Sequence, residues 1–130
     1  MQIGCGTDII HINRIERAIE RLGQPFLDRI WTVAEQNDCV GAGRFASLTA
    51  RFAAKEAASK ALGTGIGVSG VSWHDFEVRR IKSGQPVIEL HSAAKKIFED
   101  NGGKSISVSL SHEKDLAQAM CVILWETTVE

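Results

Sequence analysis

No field of one sign covers this sequence: 15 Lys and Arg stand against 16 Asp and Glu, a formal net charge of -1. That balance gives no global attraction for a polyanion, so nucleic acid is not an expected partner and any anion binding has to be local. There is no apolar run long enough to cross a bilayer. Met1-Gln2-Ile3-Gly4-Cys5-Gly6 is not a basic region leading into an apolar one, so no membrane attachment is expected. Cysteine is scarce and odd in number. Cys5, Cys39 and Cys121 lack metal-type spacing and make no disulfide framework, which points to reduced thiols and a cytoplasmic protein. Repeats and low-complexity segments are absent, and the glycine-rich loop Gly63-Thr64-Gly65-Ile66-Gly67 is not followed by the Gly-Lys-Ser/Thr of a Walker motif. What remains, 130 residues of which 44% are hydrophobic, has room for a single domain over residues 1–130 with one core.

The densest pattern is Arg51-Phe52-Ala53-Ala54-Lys55-Glu56-Ala57-Ala58-Ser59-Lys60-Ala61-Leu62-Gly63-Thr64-Gly65. Strong helix formers run up to Gly63, which suits a left-handed stop. At about 100° per residue, Ala53, Ala54, Ala57, Ala58 and Ala61 share one face. Arg51, Lys55, Glu56, Ser59 and Lys60 cover the opposite half, so a small face for close packing backs onto a charged one. Arg51 and Lys55 are like charges one turn apart, which an anion along this face would relieve, while Glu56 and Lys60 form a favourable pair. The helix is expected to begin near Arg44, with Phe45, Leu48 and Phe52 as core anchors.

Ahead of it, residues 3–10 alternate as a strand, with Ile3, Cys5, Thr7 and Ile9 on one face and Gly4, Gly6, Asp8 and Ile10 on the other. Asp and Gly both weaken a strand, so the second face predicts open space beside the Asp8 carboxylate. On local sequence alone, Asp8 as a cap for the next helix is an equal reading. Residues 12–22 keep helical spacing at Ile12, Ile15, Ile19 and Leu22, with Asn13 and Glu16 placed as a capping box. Arg14, Arg17 and Arg21 form a basic row within roughly 60° of arc on that helix. Gly23 ends it, and Pro25 with a Thr32/Glu35 capping box predicts short helices over 25–39.

Beyond the glycine-rich loop, residues 73–81 and 86–90 read as a hairpin, and 92–101 as a helix with Ser92 as N-cap and Gly102 as stop. Residues 104–111 read as a strand with Ile106, Val108 and Leu110 on one side and Ser105, Ser107, Ser109 and Ser111 on the other. Residues 116–125 are apolar almost throughout. That strand is expected to have both faces covered, which in so short a chain means subunit association.

Phe52 to Lys60 resembles the signature of the 4'-phosphopantetheinyl transferases: Phe or Trp, a small residue, any residue, Lys-Glu, a small residue, two free positions, Lys. That superfamily also has a Gly-x-Asp near the start of the chain, matched by Gly6-Thr7-Asp8. The wider agreement, through Ile9-Ile10, Arg14-Ile15-Glu16, Arg51 to Gly65 and Ser109-Leu110-Ser111-His112, is similar to the small stand-alone type, the holo-[acyl-carrier-protein] synthases, over nearly the whole chain. The resemblance implies an α+β fold, a small antiparallel sheet packed with helices around one long central helix. It also implies a homotrimer with the coenzyme site between neighbours. The implied reaction transfers 4'-phosphopantetheine from coenzyme A to a serine of apo acyl carrier protein in fatty acid biosynthesis, releasing adenosine 3',5'-bisphosphate.

Asp8, Glu56, Lys60 and His112 are the catalytic residues this resemblance implies. Asp8 and Glu56 fall where the family holds Mg2+ on the pyrophosphate, a demand that two carboxylates with an open side suit. Lys60 falls at the pyrophosphate, and Arg51 and Lys55 become candidates for coenzyme phosphates, Arg as a planar fork and Lys as a point charge. His112 ends the family's Ser-x-Ser-His and is expected to face the coenzyme, with Ser109 opening the same motif and Gly63, Thr64 and Gly65 running beside the ligand. Arg14, with Arg17 and Arg21, lies on the helix that in the family docks the acidic helix of acyl carrier protein, giving orientation and encounter rate. The base for the serine is open among a metal-held water, Glu56 and His112. His11 departs from the acid that many relatives carry there. Two readings compete: a Mg-dependent nucleotide or pyrophosphate hydrolase, and a non-catalytic trimeric adaptor for an acidic helix. The first leaves the arginine row without a task, and the second leaves Asp8, Glu56 and Lys60 without one.

Overall fold

The helix Arg44–Leu62 is the longest element of the computed structural model, which describes residues 1–126. In chain order the elements are β1 (Gln2–His11), α1 (Ile12–Leu22), α2 (Gln24–Ile30), α3 (Val33–Asp38), α4 (Arg44–Leu62), β2 (Phe76–Arg80), β3 (Pro86–Leu90), α5 (Ser92–Asp100), β4 (Gly103–Glu113) and β5 (Leu116–Trp125). A 3-10 turn, Trp73–Asp75, leads into β2. The strands β1, β5 and β4 form one antiparallel sheet in that order, and β2 pairs with β3 in a separate antiparallel hairpin. The α+β class and the central helix agree with expectation, and α4 packs against all three strands of the larger sheet.

That packing works through small residues on both sides. Ala53, Ala54, Ala57, Ala58 and Ala61 are buried, and β1 sets Gly4 and Gly6 against them. A Cβ on Gly6 would run into the Ala57 carbonyl, and one on Gly4 into the carbonyl of Ala61. The glycines therefore mark a close approach of helix and strand. This corrects the expectation of open space along that face, except at Asp8, which is half-buried.

Beside them Ile106, Val108 and Leu110 of β4 pack against the core that takes in Ala119, Cys121 and Ile123 of β5. On the outer face, Ile3, Cys5, Thr7 and Ile9 align with Leu124, Val122, Met120 and Gln118, and these with Ser105, Ser107, Ser109 and Ser111. Nothing among the described residues covers this face, and Ile3 is 71% exposed and Ile9 62%. Among the described residues β5 is thus covered on one face only.

Three local expectations change. α1 begins at Ile12 with His11 at its N-cap, and no side-chain cap forms there. The Ile12 amide instead donates to the Asp115 carbonyl at 2.7 Å, beside a His11–Asp115 contact of 3.6 Å. Residues 73–75 turn instead of extending, because the buried Asp75 carboxylate accepts from the Ser72 hydroxyl at 3.0 Å and from the Ala94 amide at 3.1 Å. That last bond satisfies the start of α5 from a distant element and replaces the expected Ser92 cap, with His91 at the N-cap position. The Thr32/Glu35 capping box does form.

Candidate active site

Asp8 points from β1 towards α4 at the level of Glu56 and Lys60. The Lys60 ammonium lies 3.7 Å from Asp8 Oδ1 and donates to the Thr7 carbonyl at 3.0 Å, with its side chain 51% exposed. Burial is the largest influence on both acids and raises both pKa values. At Glu56 the charge of Asp8 pushes the same way, while at Asp8 the charges of Lys60 and Arg14 push back. Two half-buried carboxylates close enough to repel, with a half-exposed lysine beside them, are relieved by a hard cation that takes oxygen ligands.

One residue earlier on α4 the surroundings reverse. Lys55 is 0% exposed, and its ammonium donates to Glu35 Oε1 at 2.7 Å, to the Phe76 carbonyl at 2.7 Å and to the Trp73 carbonyl at 3.2 Å. Three acceptors use the three hydrogens of the ammonium, so none is left for a coenzyme phosphate and the expectation for Lys55 is corrected. Burial lowers the Lys55 pKa, opposed first by the charge of Glu35. Glu35, foreseen only as a capping residue, does cap by accepting from the Thr32 amide at 2.9 Å, and it also accepts from the Val78 amide at 3.0 Å.

Arg51 is nearly as deep, donating to the Val78 carbonyl at 3.2 Å with Asp38 at 3.4 Å. It nevertheless borders a cleft of about 280 Å3 with Arg80, Ser111 and His112, so Arg51 and His112 do come together. Arg80 was not foreseen, since the Arg79-Arg80 pair at the end of a short strand gives no signal of what either faces.

Ser109 is placed elsewhere. It lies on the outer face of the sheet beside Met120, away from the face that carries Asp8. The amides of Gly63, Thr64 and Gly65 all donate to the Ser59 carbonyl at 3.1 Å and close the end of α4, with Gly63 at φ 94°. These donors are turned back onto the helix, so the loop offers no ready nest of amides to an anion.

Arg14, Arg17 and Arg21 are exposed along α1 and border a groove of about 880 Å3 together with Phe26, Phe52 and Trp73. Phe52, expected as a core anchor, is half-buried and stacks on Trp73 at a centroid distance of 4.8 Å, giving the groove an apolar wall. Arg29 lines the same groove and was missed because α2 is too short to show a periodic face. Arg14 also belongs to the acid pair's surroundings, since its charge acts on Asp8. Ile10, two residues beyond Asp8, and Phe52, one turn before Glu56, also line the groove, so it runs up to the two carboxylates.

Among the described residues, Glu77, Glu89 and His91 on the β2–β3 hairpin form a further group with metal-ligand chemistry. Arg79 lies 3.7 Å from each of its acids and the Thr32 hydroxyl donates to Glu77 at 2.6 Å, so part of the group's charge is already offset from within. All three cysteines are free, and burial pushes the Cys121 thiol up to about 12, far from an activated nucleophile.

Residues 4–121 match the 4'-phosphopantetheinyl transferase superfamily. The chain is similar to the holo-[acyl-carrier-protein] synthase of Vibrio atlanticus (strain LGP32), 45% identical over 124 residues that span 93% of this chain and 96% of the relative. Among solved structures it is similar to the holo-[acyl-carrier-protein] synthase from Neisseria meningitidis, 36% identical with a TM-score of 0.85 over 93% of this chain and 97% of that one. It is also similar to the Helicobacter pylori holo-[acyl-carrier-protein] synthase in complex with coenzyme A, 33% identical with a TM-score of 0.82 over 92% and 99%.

Proposed function

The chain belongs to the 4'-phosphopantetheinyl transferase superfamily, and within it we propose that it acts as a holo-[acyl-carrier-protein] synthase, moving 4'-phosphopantetheine from coenzyme A to a serine of apo acyl carrier protein for fatty acid biosynthesis. The supporting observation is the meeting of Asp8, Glu56 and Lys60 beside a groove with an arginine border and an aromatic wall. The serine hydroxyl attacks the β-phosphorus of the coenzyme and a new P–O bond forms. The bond to the bridging oxygen breaks, adenosine 3',5'-bisphosphate leaves with the electron pair, and the serine proton passes to a base at the acid pair.

Asp8 and Glu56 fit Mg2+: both offer only oxygen, both are half-buried, and each is raised in pKa in a way that a bound dication reverses. Bound there, Mg2+ supplies neutralisation of charge on the pyrophosphate. Lys60, held among the described residues only by the Thr7 carbonyl and by Asp8, is half-exposed and able to turn its ammonium to a phosphate oxygen and stabilise charge there. Arg51, Arg80 and His112 offer a second anion-binding cleft for the other coenzyme phosphates.

Asp8 stands on the β1 edge of the sheet and His112 on the β4 edge, with β5 between them. Two strand spacings set these groups about 10 Å apart or more, so they are separate subsites along one coenzyme, which we propose runs between the acid pair of one subunit and the cleft of the next. The uncovered outer face with Ile3, Ile9 and Met120 gives such subunits an apolar surface to bury, in the homotrimer we propose. Arg14, Arg17 and Arg21 then meet the acidic helix of the carrier while Phe26 and Phe52 take its apolar side, which brings the serine to the acid pair. The cytoplasm is the compartment that goes with this reading, and the free thiols accord with it.

Intact-mass spectrometry of apo acyl carrier protein incubated with the chain, coenzyme A and Mg2+, with and without chelator, tests the proposal. A metal-dependent gain of one phosphopantetheine on the carrier is the expected result. No gain with several carriers, together with breakdown of the coenzyme, would replace this reading with the hydrolase.

A further inference from the structure

We propose that Lys55 is a positioning residue for Glu56: its buried ion pair with Glu35 fixes the rotation of α4 about its own axis and thereby aims the neighbouring Glu56 carboxylate at Asp8. The proposal rests on the reading of Asp8 and Glu56 as the metal-binding pair.

The need for such a lock follows from how α4 meets the sheet. Along β1, Ala61 and Ala57 lie against Gly4 and Gly6, so that seam is close but without protruding side chains, and the larger core residues Val108, Leu110 and Ile123 stand on the other two strands. Helix packing is keyed by ridges entering grooves, and a surface of methyl groups on bare backbone gives shallow ridges and little resistance to rotation. A rotation of α4 by one residue's worth, about 100°, would take Glu56 off Asp8 altogether, and a small fraction of that would spoil a shared ligand geometry.

Direction is supplied on the other flank. Lys55 joins α4 to α3 through Glu35 and to the entry of β2 through the carbonyls of Trp73 and Phe76. Glu35 is in turn held by the amides of Thr32 and Val78, and Arg51, one turn earlier on α4, donates to the Val78 carbonyl. Bonds from two successive turns of one helix to the same strand leave no free rotation. A buried ion pair adds little net stability over a well-packed apolar pair, so the gain from having one here is geometric: bonds with fixed directions in place of a smooth contact. The Lys55 ammonium bonds to Glu35 and to the carbonyls of Trp73 and Phe76 and is wholly buried, so it acts through the helix and not on the substrate.

The experiment uses the full chain with coenzyme A and Mn2+, an oxygen-seeking cation whose free concentration is read by electron paramagnetic resonance. Wild type is compared with Lys55→Met, with Glu35→Gln and with the double variant, after circular dichroism establishes the temperature range in which each is folded. In that range the variants are expected to bind coenzyme A in chelator as wild type does, and to bind Mn2+ in the ternary complex about tenfold more weakly, the lower end of what loss of a supporting residue does to metal affinity. Transfer should fall at low Mn2+ and recover as the metal is raised, an effect on apparent metal affinity and not on the maximal rate. An unchanged Mn2+ affinity in any folded variant overturns the proposal. If Lys55→Met does not fold, Glu35→Gln, which keeps the shape of the partner, decides by the same measurement; if neither folds, the pair is structural and the proposal fails. Glu56→Gln separates the two levels. When Glu56→Gln loses Mn2+ and the Lys55 variants do not, only the positioning role is wrong, and when Glu56→Gln binds Mn2+ as wild type does, the acid-pair reading falls and the positioning role with it.

Discussion

Lys55 and Lys60 lie five residues apart on the same helix, and one is sealed in the core while the other stands half in solvent. The flank of α4 that meets α3 and β2 closes on Arg51 and Lys55 with an acid and backbone carbonyls. The flank that meets β1 is closed where Gly4 and Gly6 lie against Ala61 and Ala57 and opens only at Glu56 and Lys60, which face Asp8 and the Thr7 carbonyl. Charge on a helix face therefore does not mark a ligand site by itself. What lies across from each residue decides whether its charge is used up inside the molecule or left for a substrate.

The largest effect is expected on the open flank. Glu56→Ala should lower kcat/KM for transfer by at least about a thousandfold, roughly 4 kcal/mol of transition-state stabilisation, while circular dichroism and oligomer mass stay as in wild type. Retention of a tenth of the activity would mean that the open flank is not where the chemistry occurs. On the closed flank the loss should appear in stability. Lys55→Ala leaves the Glu35 carboxylate buried without its cation, a change that costs about 3–5 kcal/mol in such settings, to be read from urea unfolding. A loss of only a few tenths would show that water reaches this flank after all.

Smaller effects sharpen the contrast further out. Arg14→Glu should raise the apparent KM for carrier protein about tenfold, through encounter and orientation, and leave the KM for coenzyme A where it was. Equal shifts in both would place Arg14 at the coenzyme instead. The smallest effect concerns the metal-free protein. The folded-state pKa of Glu56 is raised, so the folded chain holds a proton that the unfolded chain has released, and stability falls as pH rises out of the ordinary carboxylate range. Glu56→Gln should therefore raise Tm in chelator by a few degrees at most at neutral pH and lose that advantage below the ordinary carboxylate range. The same gain at both pH values would trace it to packing and not to charge.

Much of the fold was legible because its signals are local. Gly63 and a run of helix formers bounded α4, and Thr32 with Glu35 announced the cap of α3. The acid pair was legible only through the family motif, since no spacing rule brings residue 8 to residue 56. What escaped depends on contacts from far along the chain. Lys55 looked like a surface cation because Glu35 and the carbonyls of Trp73 and Phe76 leave no mark on the residues around it. The face of Gly4 and Gly6 was misread for a similar reason. A glycine in a strand fits open space and close approach equally well, and here only the carbonyls of Ala57 and Ala61 distinguish them. The cap of α5 comes from Asp75, on a turn that lies well before that helix in the chain.

A crystal structure of the chain with coenzyme A and Mn2+, with the metal located by anomalous scattering, tests the contrast between the flanks most directly. The expected result is a metal peak bonded to Asp8 and Glu56, with Lys60 turned to a phosphate oxygen and Lys55 still bound to Glu35 and the two carbonyls. A peak at Glu77, Glu89 and His91 with none at the acid pair, or Lys55 released from Glu35 and in contact with the coenzyme, would contradict it.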